Sequence, residues 1–219
     1  MTTIAQVRQA VRPLIQQHSD LASIGRFVMI KPVRHIWRAV FIESTIDPHA
    51  FAPRISLSML IPAKSRGVRG FGQRIFRNIY GPRNIRSSDW DIRQPETIKQ
   101  MLDMIENEAL PKLRTINTFE DYFAFISGFR FPIDYTGHIQ YLEVYIPAAN
   151  GDLELSRKNL ERDARILADI KEYRPGFYRA LVDGDRFEIA RILHEWEAAT
   201  VTNHKLEKIW ERTPFPLEL

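Results

Sequence analysis

The spacing of apolar residues near the N-terminus predicts a helix. Apolar side chains recur every three or four positions over residues 4–15, and Thr2 or Thr3 can cap the first free backbone N–H groups. Pro13 lies inside this segment, where it kinks the helix or splits it in two. We therefore expect an N-terminal helix that ends between residues 19 and 25.

Strand-like segments with a period of two follow this helix, separated by turns that contain proline. These segments are residues 27–30, 35–46 and 54–61. In the third segment, apolar residues alternate with serines, which is typical of a strand with one solvated face. A short extended piece at residues 90–92 is expected to add to the same sheet. The pattern predicts a small antiparallel β-meander that is half exposed.

The pattern becomes helical after Pro95. We expect the first of these helices to end at Pro111, and Thr118 to cap the next one. Residues 138–146 fit a helix or a strand. A helix is favoured, because Pro147 and the Asn-Gly-Asp sequence at residues 150–152 then form a turn between helices.

A single helix is expected over residues 153–170, followed by a helical hairpin around Gly184. Gly-Asp turns at Gly151 and Gly184 lie 33 residues apart, which is near the period of helix-turn-helix repeats. Helical hairpins with glycine turns are also common in ordinary helical domains. Two copies of a weak pattern are poor evidence for a repeat, so we favour ordinary helical hairpins.

These elements together predict an α+β fold with an N-terminal helix, a small antiparallel β-meander and a mostly helical C-terminal half. We expect an α+β region at residues 1–115, which contains the sheet and a basic loop, and a helical region at 116–219. The chain of 219 residues suits one structural unit in which the helical region packs on the sheet.

Composition excludes several classes of chemistry. The chain contains no cysteine, which excludes disulfides, thiolate nucleophiles and cysteine-ligated metals. The N-terminal residues lack a basic stretch followed by an apolar run, so no signal peptide is expected. No window approaches the roughly 18 apolar residues that span a bilayer. We expect a soluble, cytoplasmic protein without a cofactor, and the sequence does not indicate its oligomeric state.

Charge is distributed unevenly along the chain. Residues 1–100 carry 16 Lys and Arg against 6 Asp and Glu, whereas residues 101–219 carry 15 against 21. The excess of positive charge is densest in residues 64–86, KSRGVRGFGQRIFRNIYGPRNIR, which contain seven basic residues and no acidic one. We call residues 64–86 the arginine-rich segment. Such asymmetry indicates association with something negative.

The arginine-rich segment is the candidate binding site. Gln73–Tyr80 fits a short helix, which would place Arg74 and Arg77 on one face. Arginine binds phosphate or carboxylate in a bidentate way, and aromatic residues can stack on nucleic-acid bases. The residues predicted to contact an acidic protein or a nucleic acid are Arg66, Arg69, Arg74, Arg77, Arg83, Arg86, Phe76 and Tyr80.

The same charge also fits two roles that need no macromolecular partner. The arginines can pair internally with the acidic helices of residues 101–219, whose net charge of −6 would offset much of the +10 in residues 1–100. A short, basic, amphipathic segment can also lie against membrane headgroups. Internal pairing and an external anion are the two main interpretations.

Catalytic motifs are absent from the sequence. There is no GxSxG or HExxH pattern, and GVRGFGQR lacks the lysine of a phosphate-binding P-loop. His194 is expected on the surface of a helix. We predict a non-enzymatic, bacterial-type interaction or adaptor protein without a bound metal. The alternative is a metal-dependent enzyme acting on nucleic acid, in which Asp89 and Asp91 hold a divalent cation beside the arginines.

Overall fold

A computed structural model describes residues 1–62, 90–128 and 136–219, with the backbone alone at Arg77–Asn78, Arg86–Ser87 and 136–138. The described residues fall into two compact units. The sheet unit contains Met1–Met59, 90–122 and Lys205–Glu211. The helical unit contains 60–62, 123–128, 136–204 and Arg212–Leu219.

The predicted N-terminal helix is confirmed. Helix α1 spans Ile4–Gln17, and Thr3 caps it by accepting the backbone N–H of Gln6, whose side chain in turn accepts the N–H of Thr3. The helix passes through Pro13 without splitting, because Pro13 and Gln9 are both exposed and water can replace the hydrogen bond that proline removes. The other face of α1 is buried.

The strands of the sheet unit form one antiparallel sheet in the order β1-β2-β3-β4-β7. Its members are β1 (Leu21–Ile24), β2 (Phe27–Ile30), β3 (Ile36–Ser44), β4 (Ala50–Met59) and β7 (Trp90–Asp91). The meander and its added piece at residues 90–92 are confirmed. Strand β1 was not predicted. It pairs with β2 through a tight turn at Gly25, whose φ of +59° suits glycine.

The prediction that one face of the sheet is exposed to solvent is wrong for β4. Ser56 and Ser58 are 0% and 1% exposed, and their apolar neighbours Leu57 and Met59 are also buried. Serine is small enough to pack closely, and the Ser58 hydroxyl donates to the carbonyl of Met59 at 3.1 Å. The alternation of apolar and polar residues in this strand therefore reflects side-chain size rather than exposure.

The helix after Pro95 was expected to end at Pro111, but it continues to Arg114 through a widened turn before the proline. Its consecutive parts are α2 (Pro95–Met104), a π-helical turn (Ile105–Ala109) and α3 (Leu110–Arg114). In an α-helix, the ring of Pro111 would clash with the carbonyl four residues earlier. In the π turn, the N–H of Leu110 instead reaches the carbonyl of Ile105, five residues back, which accommodates the proline.

The C-terminal half is helical, as predicted. Its helices are α4 (Phe119–Ser127), α5 (Thr136–Asn150), α6 (Leu153–Arg162), α7 (Ala164–Tyr173), α8 (Pro175–Asp183) and α9 (Arg186–His204), and a 3-10 turn follows at Pro216–Glu218. The helical interpretation of residues 138–146 is confirmed, although α5 continues through Pro147. The single helix expected over 153–170 is divided at Asp163, whose side chain accepts the N–H groups of Arg165 and Ile166 and starts α7.

Both predicted Gly-Asp turns connect helices. Gly151 and Gly184 adopt positive φ angles of 86° and 68°. The aspartate after each glycine caps the next helix, since Asp152 accepts the N–H of Leu155 and Asp185 accepts the N–H of Glu188.

The architecture is therefore the predicted α+β fold with a helical C-terminal half. Among the helices of the described ranges, none has the length and apolar character needed to cross a membrane. The division into regions 1–115 and 116–219, packed as one structural unit, stays a prediction.

Candidate functional site

Most of the arginine-rich segment lies outside the described residues. This applies to Arg66, Arg69, Arg74, Arg83, Phe76 and Tyr80. The backbones of Arg77 and Arg86 belong to two short antiparallel strands, β5 (Arg77–Asn78) and β6 (Arg86–Ser87), in which Arg77 is opposite Ser87. The expected helix over Gln73–Tyr80 is therefore wrong at Arg77–Asn78. Isoleucine and aromatic residues are frequent in this sequence, and they favour strands. The binding role of all eight residues stays a prediction.

Asp91, the described member of the candidate metal pair, is bound by a neighbouring arginine. Its Oδ1 accepts from the backbone N–H and the Nε of Arg93 at 2.9 and 3.0 Å, and its Oδ2 accepts from Nη2 at 2.8 Å. These hydrogen bonds lower the pKa of Asp91 to about 2. Asp89 lies outside the described residues. Within the described part of the chain, no three His, Asp or Glu side chains are placed to hold a metal ion.

A network of polar side chains connects the end of α1 to the π turn in the sheet unit. We call Gln17, His18, Asp20, Glu106 and Arg114 the polar cluster. Glu106 lies in the π turn, and its Oε1 contacts the Nε2 of His18 at 2.9 Å. The side-chain amide of Gln17 donates to the same oxygen at 2.7 Å. The carboxylate of Glu106 therefore fixes the orientation of the imidazole.

Arg114 forms the other half of the polar cluster. Its Nε and Nη2 donate to the two carboxylate oxygens of Asp20, both at 3.0 Å, in a bidentate pair. This hydrogen bonding holds the pKa of Asp20 below its usual range. Nη2 also lies 3.4 Å from the Nδ1 of His18. Because arginine has only donors to offer, Nδ1 is the acceptor and Nε2 donates to Glu106.

The polar cluster is better suited to holding elements together than to catalysis. Both ring nitrogens of His18 face protein groups, so neither is directed at a substrate. Its contacts connect the end of α1, the residue before β1, the π turn and α3. Sequence analysis missed this network because His18 and Glu106 are 88 positions apart, so no local motif contains both residues.

A second histidine lies between two carboxylates in the helical unit. His194 on α9 is only 11% exposed, which corrects the expected surface position. Its Nε2 contacts Glu218 at 2.8 Å, and its Nδ1 lies 3.7 Å from the fully buried Glu197. The ring also packs against Phe215, with 4.9 Å between centroids. These contacts fasten residues 215–218 to α9.

No known protein-family model matches this chain, and no curated protein or solved structure matches it either. These comparisons therefore do not indicate a ligand, a partner or an activity. The function has to be inferred from the residues of this chain and the charges around them.

Proposed function

We propose that this protein is a non-enzymatic interaction or adaptor protein that binds an acidic macromolecule through the arginine-rich segment. The observation that carries the proposal is that residues 64–86 contain seven basic residues and no acidic one. A dense run of arginines attracts a polyanion, and its planar side chains bind phosphate or carboxylate groups in a bidentate way. The main competing interpretation is neutralisation by the acidic residues of the C-terminal half.

Helix capping accounts for part of the acidic excess in residues 101–219 and so supports an external partner. Aspartates accept backbone N–H groups at the starts of α4, α6, α7 and α9. These residues are Asp121, Asp152, Asp163 and Asp185. A helix N-terminus carries a partial positive charge, so a carboxylate there is stabilised without a cation. These four charges do not require arginines from another part of the chain.

Other acidic residues of the C-terminal half are paired within their own unit. Glu143 binds Arg162, and Arg191 binds both Glu188 and Glu195. Glu218 contacts His194, and Asp169 accepts a hydrogen bond from Tyr141. These nearby partners reduce the need for internal neutralisation by the arginine-rich segment. They favour an acidic molecule outside the chain as its counterpart.

The first experiment asks whether the partner is nucleic acid or protein. The full-length protein is used to capture material from a cell lysate, with and without nuclease. Loss of a stoichiometric partner after nuclease treatment identifies nucleic acid. An acidic protein retained in both samples identifies a protein partner. Recovery of no stoichiometric macromolecule in either sample overturns the proposal.

A matched pair of triple variants tests whether the arginines make the contacts. Replacing Arg74, Arg77 and Arg83 by Ala should weaken capture strongly. If the partner is single-stranded nucleic acid, the slope of log K against log salt should fall by about 2, because each lost phosphate contact removes about 0.7. The control removes the same charge from exposed positions in the helical unit, Arg157, Lys158 and Arg179. Equal weakening by both variants would contradict a specific role for the segment.

A further inference from the structure

A cavity of about 480 Å³ in the sheet unit lies between α1 and α2. Its wall on α1 consists of Gln6, Gln9, Ala10 and Pro13. These positions follow the i, i+3, i+4, i+7 spacing of one helix face. The stripe therefore extends about 10 Å along the helix at a rise of 1.5 Å per residue.

The wall on α2 has the same spacing. It consists of Pro95, Ile98, Lys99 and Leu102, and Ile98 and Leu102 are only partly buried. Two helix faces of equal length thus line one trough with mostly apolar walls. A volume of this size lies within the range of small-molecule sites, which combine apolar walls with a few polar groups.

The polar side chains that line the trough, Gln6, Gln9 and Lys99, all offer hydrogen-bond donors. Lys99 is exposed and forms no ion pair with any described residue. Gln6 uses its side-chain oxygen to accept from the backbone N–H and the hydroxyl of Thr3, at 2.7 and 3.1 Å. Its NH₂ group is the part of this amide that can donate to a ligand. The Lys99 ammonium group is therefore suited to an anion.

The charge of the lining agrees with this polarity. The arginines of α1 and the acidic residues of α2 do not line the cavity, so Lys99 is the one charged residue among the described residues of its walls. Electrostatic complementarity thus favours a ligand with one negative group and disfavours a cation of the same shape.

We propose that this trough binds a small amphiphilic carboxylate, with its apolar chain between Ala10, Pro13, Ile98 and Leu102 and its carboxylate at Lys99. The trough is only about two helical turns long, which suits a chain of medium length. The site is independent of the arginine-rich segment, so either proposal can fail without the other.

Isothermal titration calorimetry of the full-length protein provides the first test. Decanoate is compared with decyltrimethylammonium, which has the same chain and the opposite charge, both below the concentration at which they form micelles. We expect decanoate to bind with one-to-one stoichiometry and the ammonium compound to bind at least tenfold more weakly. Equal binding of the two compounds, or no binding of decanoate, overturns the proposal.

Two variants locate the site. Lys99→Gln should weaken decanoate binding about tenfold, because a hydrogen bond to a charged group is lost. The control, Lys112→Gln, changes an exposed lysine on α3 that does not line the trough and should leave binding unchanged. Leu102→Gln should weaken decanoate and decanol alike, whereas Lys99→Gln should affect decanoate alone. Equal effects of Lys99→Gln and Lys112→Gln would place the carboxylate elsewhere and overturn the proposal.

Discussion

The longest-range ion pairs of the sheet unit span far more of the sequence than those of the helical unit. In the sheet unit, Arg114 and Asp20 are 94 positions apart. In the helical unit, Arg191 binds Glu188 three positions away, and Asp163 caps the helix that begins at the next residue. The first kind of contact forms only when distant elements have assembled, whereas the second needs one helix. Local contacts can be predicted from sequence patterns, and long-range contacts cannot.

The largest expected effect tests whether the two units unfold together, as the predicted single structural unit requires. Leu57 on β4 is 0% exposed, and Leu160 on α6 is 1% exposed. Replacing either leucine by Ala should reduce the free energy of unfolding by about 3 kcal/mol, because a cavity forms in a packed core. Urea denaturation, followed by circular dichroism and tryptophan fluorescence, measures the effect.

Both leucine variants should shift the same transition for both optical signals. Two transitions, each sensitive to only one variant, would show that the units unfold separately. In that case, the prediction of one structural unit is wrong.

An intermediate effect is expected at the two glycine turns of the helical unit. A methyl group on Gly184 would meet no other atom within 4 Å, so Gly184→Ala should cost about 1 kcal/mol from its positive φ alone. At Gly151 the same methyl group would lie 3.0 Å from Nη2 of Arg186, which donates to the carbonyl of Leu217. Gly151→Ala should therefore cost about 2 kcal/mol, since strain and a disturbed hydrogen bond add. If thermal unfolding shows that both variants lose the same stability, the contact with Arg186 does not add to the cost at Gly151.

The smallest expected losses of unfolding free energy come from removing single ion pairs, a long-range pair in the sheet unit and a more exposed pair in the helical unit. Arg114→Ala should cost about 1 kcal/mol, a value that allows for solvent screening of its partly exposed pair with Asp20. Arg162→Ala removes a more exposed arginine, which binds Glu143, and should cost less than about 0.5 kcal/mol. Urea denaturation at neutral pH measures both variants. A larger loss for Arg162→Ala would reverse the comparison between the units.

The pH dependence of Arg114→Ala provides a further check on the same pair. Arg114 lowers the pKa of Asp20 below 3.8, so the pair stabilises the fold above that pH. The stabilisation is lost as the pH falls through the lower, folded-state pKa. The difference in unfolding free energy between the wild type and Arg114→Ala should therefore shrink on acidification. A difference that is constant from neutral pH to about pH 2 would show that Asp20 is not the relevant partner.

The parts of the fold that could be predicted depend on residues close together in the sequence. Thr3 and the glycine at residue 184 lie beside clear changes in hydrophobic period, and the structure places a cap and a turn there. The burial of Ser56 was missed because a period-two pattern does not show what covers the second face of a strand. Strand β1 was missed because half of its four residues are alanine and serine, which do not favour strands as the β-branched and aromatic residues of β2 do.

The candidate site was predicted from the charge and the aromatic residues of one segment, and its contacts remain predictions. The composition of the arginine-rich segment indicates an anion, but it does not distinguish a carboxylate from a phosphate. The polar cluster was missed for a different reason. His18 and Arg114 become neighbours only through the packing of α1 against the widened helix, and no local pattern encodes that contact.

The widened turn also sets the rotational phase of the helix that contains it. Two turns of an α-helix take 7.2 residues, and a π turn adds about one more. Glu106 and Arg114 are eight positions apart, so the extra residue aligns both side chains with the end of α1. In an uninterrupted α-helix, they would diverge by about 80°. Deleting one residue from this turn would restore the seven-residue spacing of a regular α-helix, in which the two side chains diverge by only about 20°, so both long-range contacts should still form.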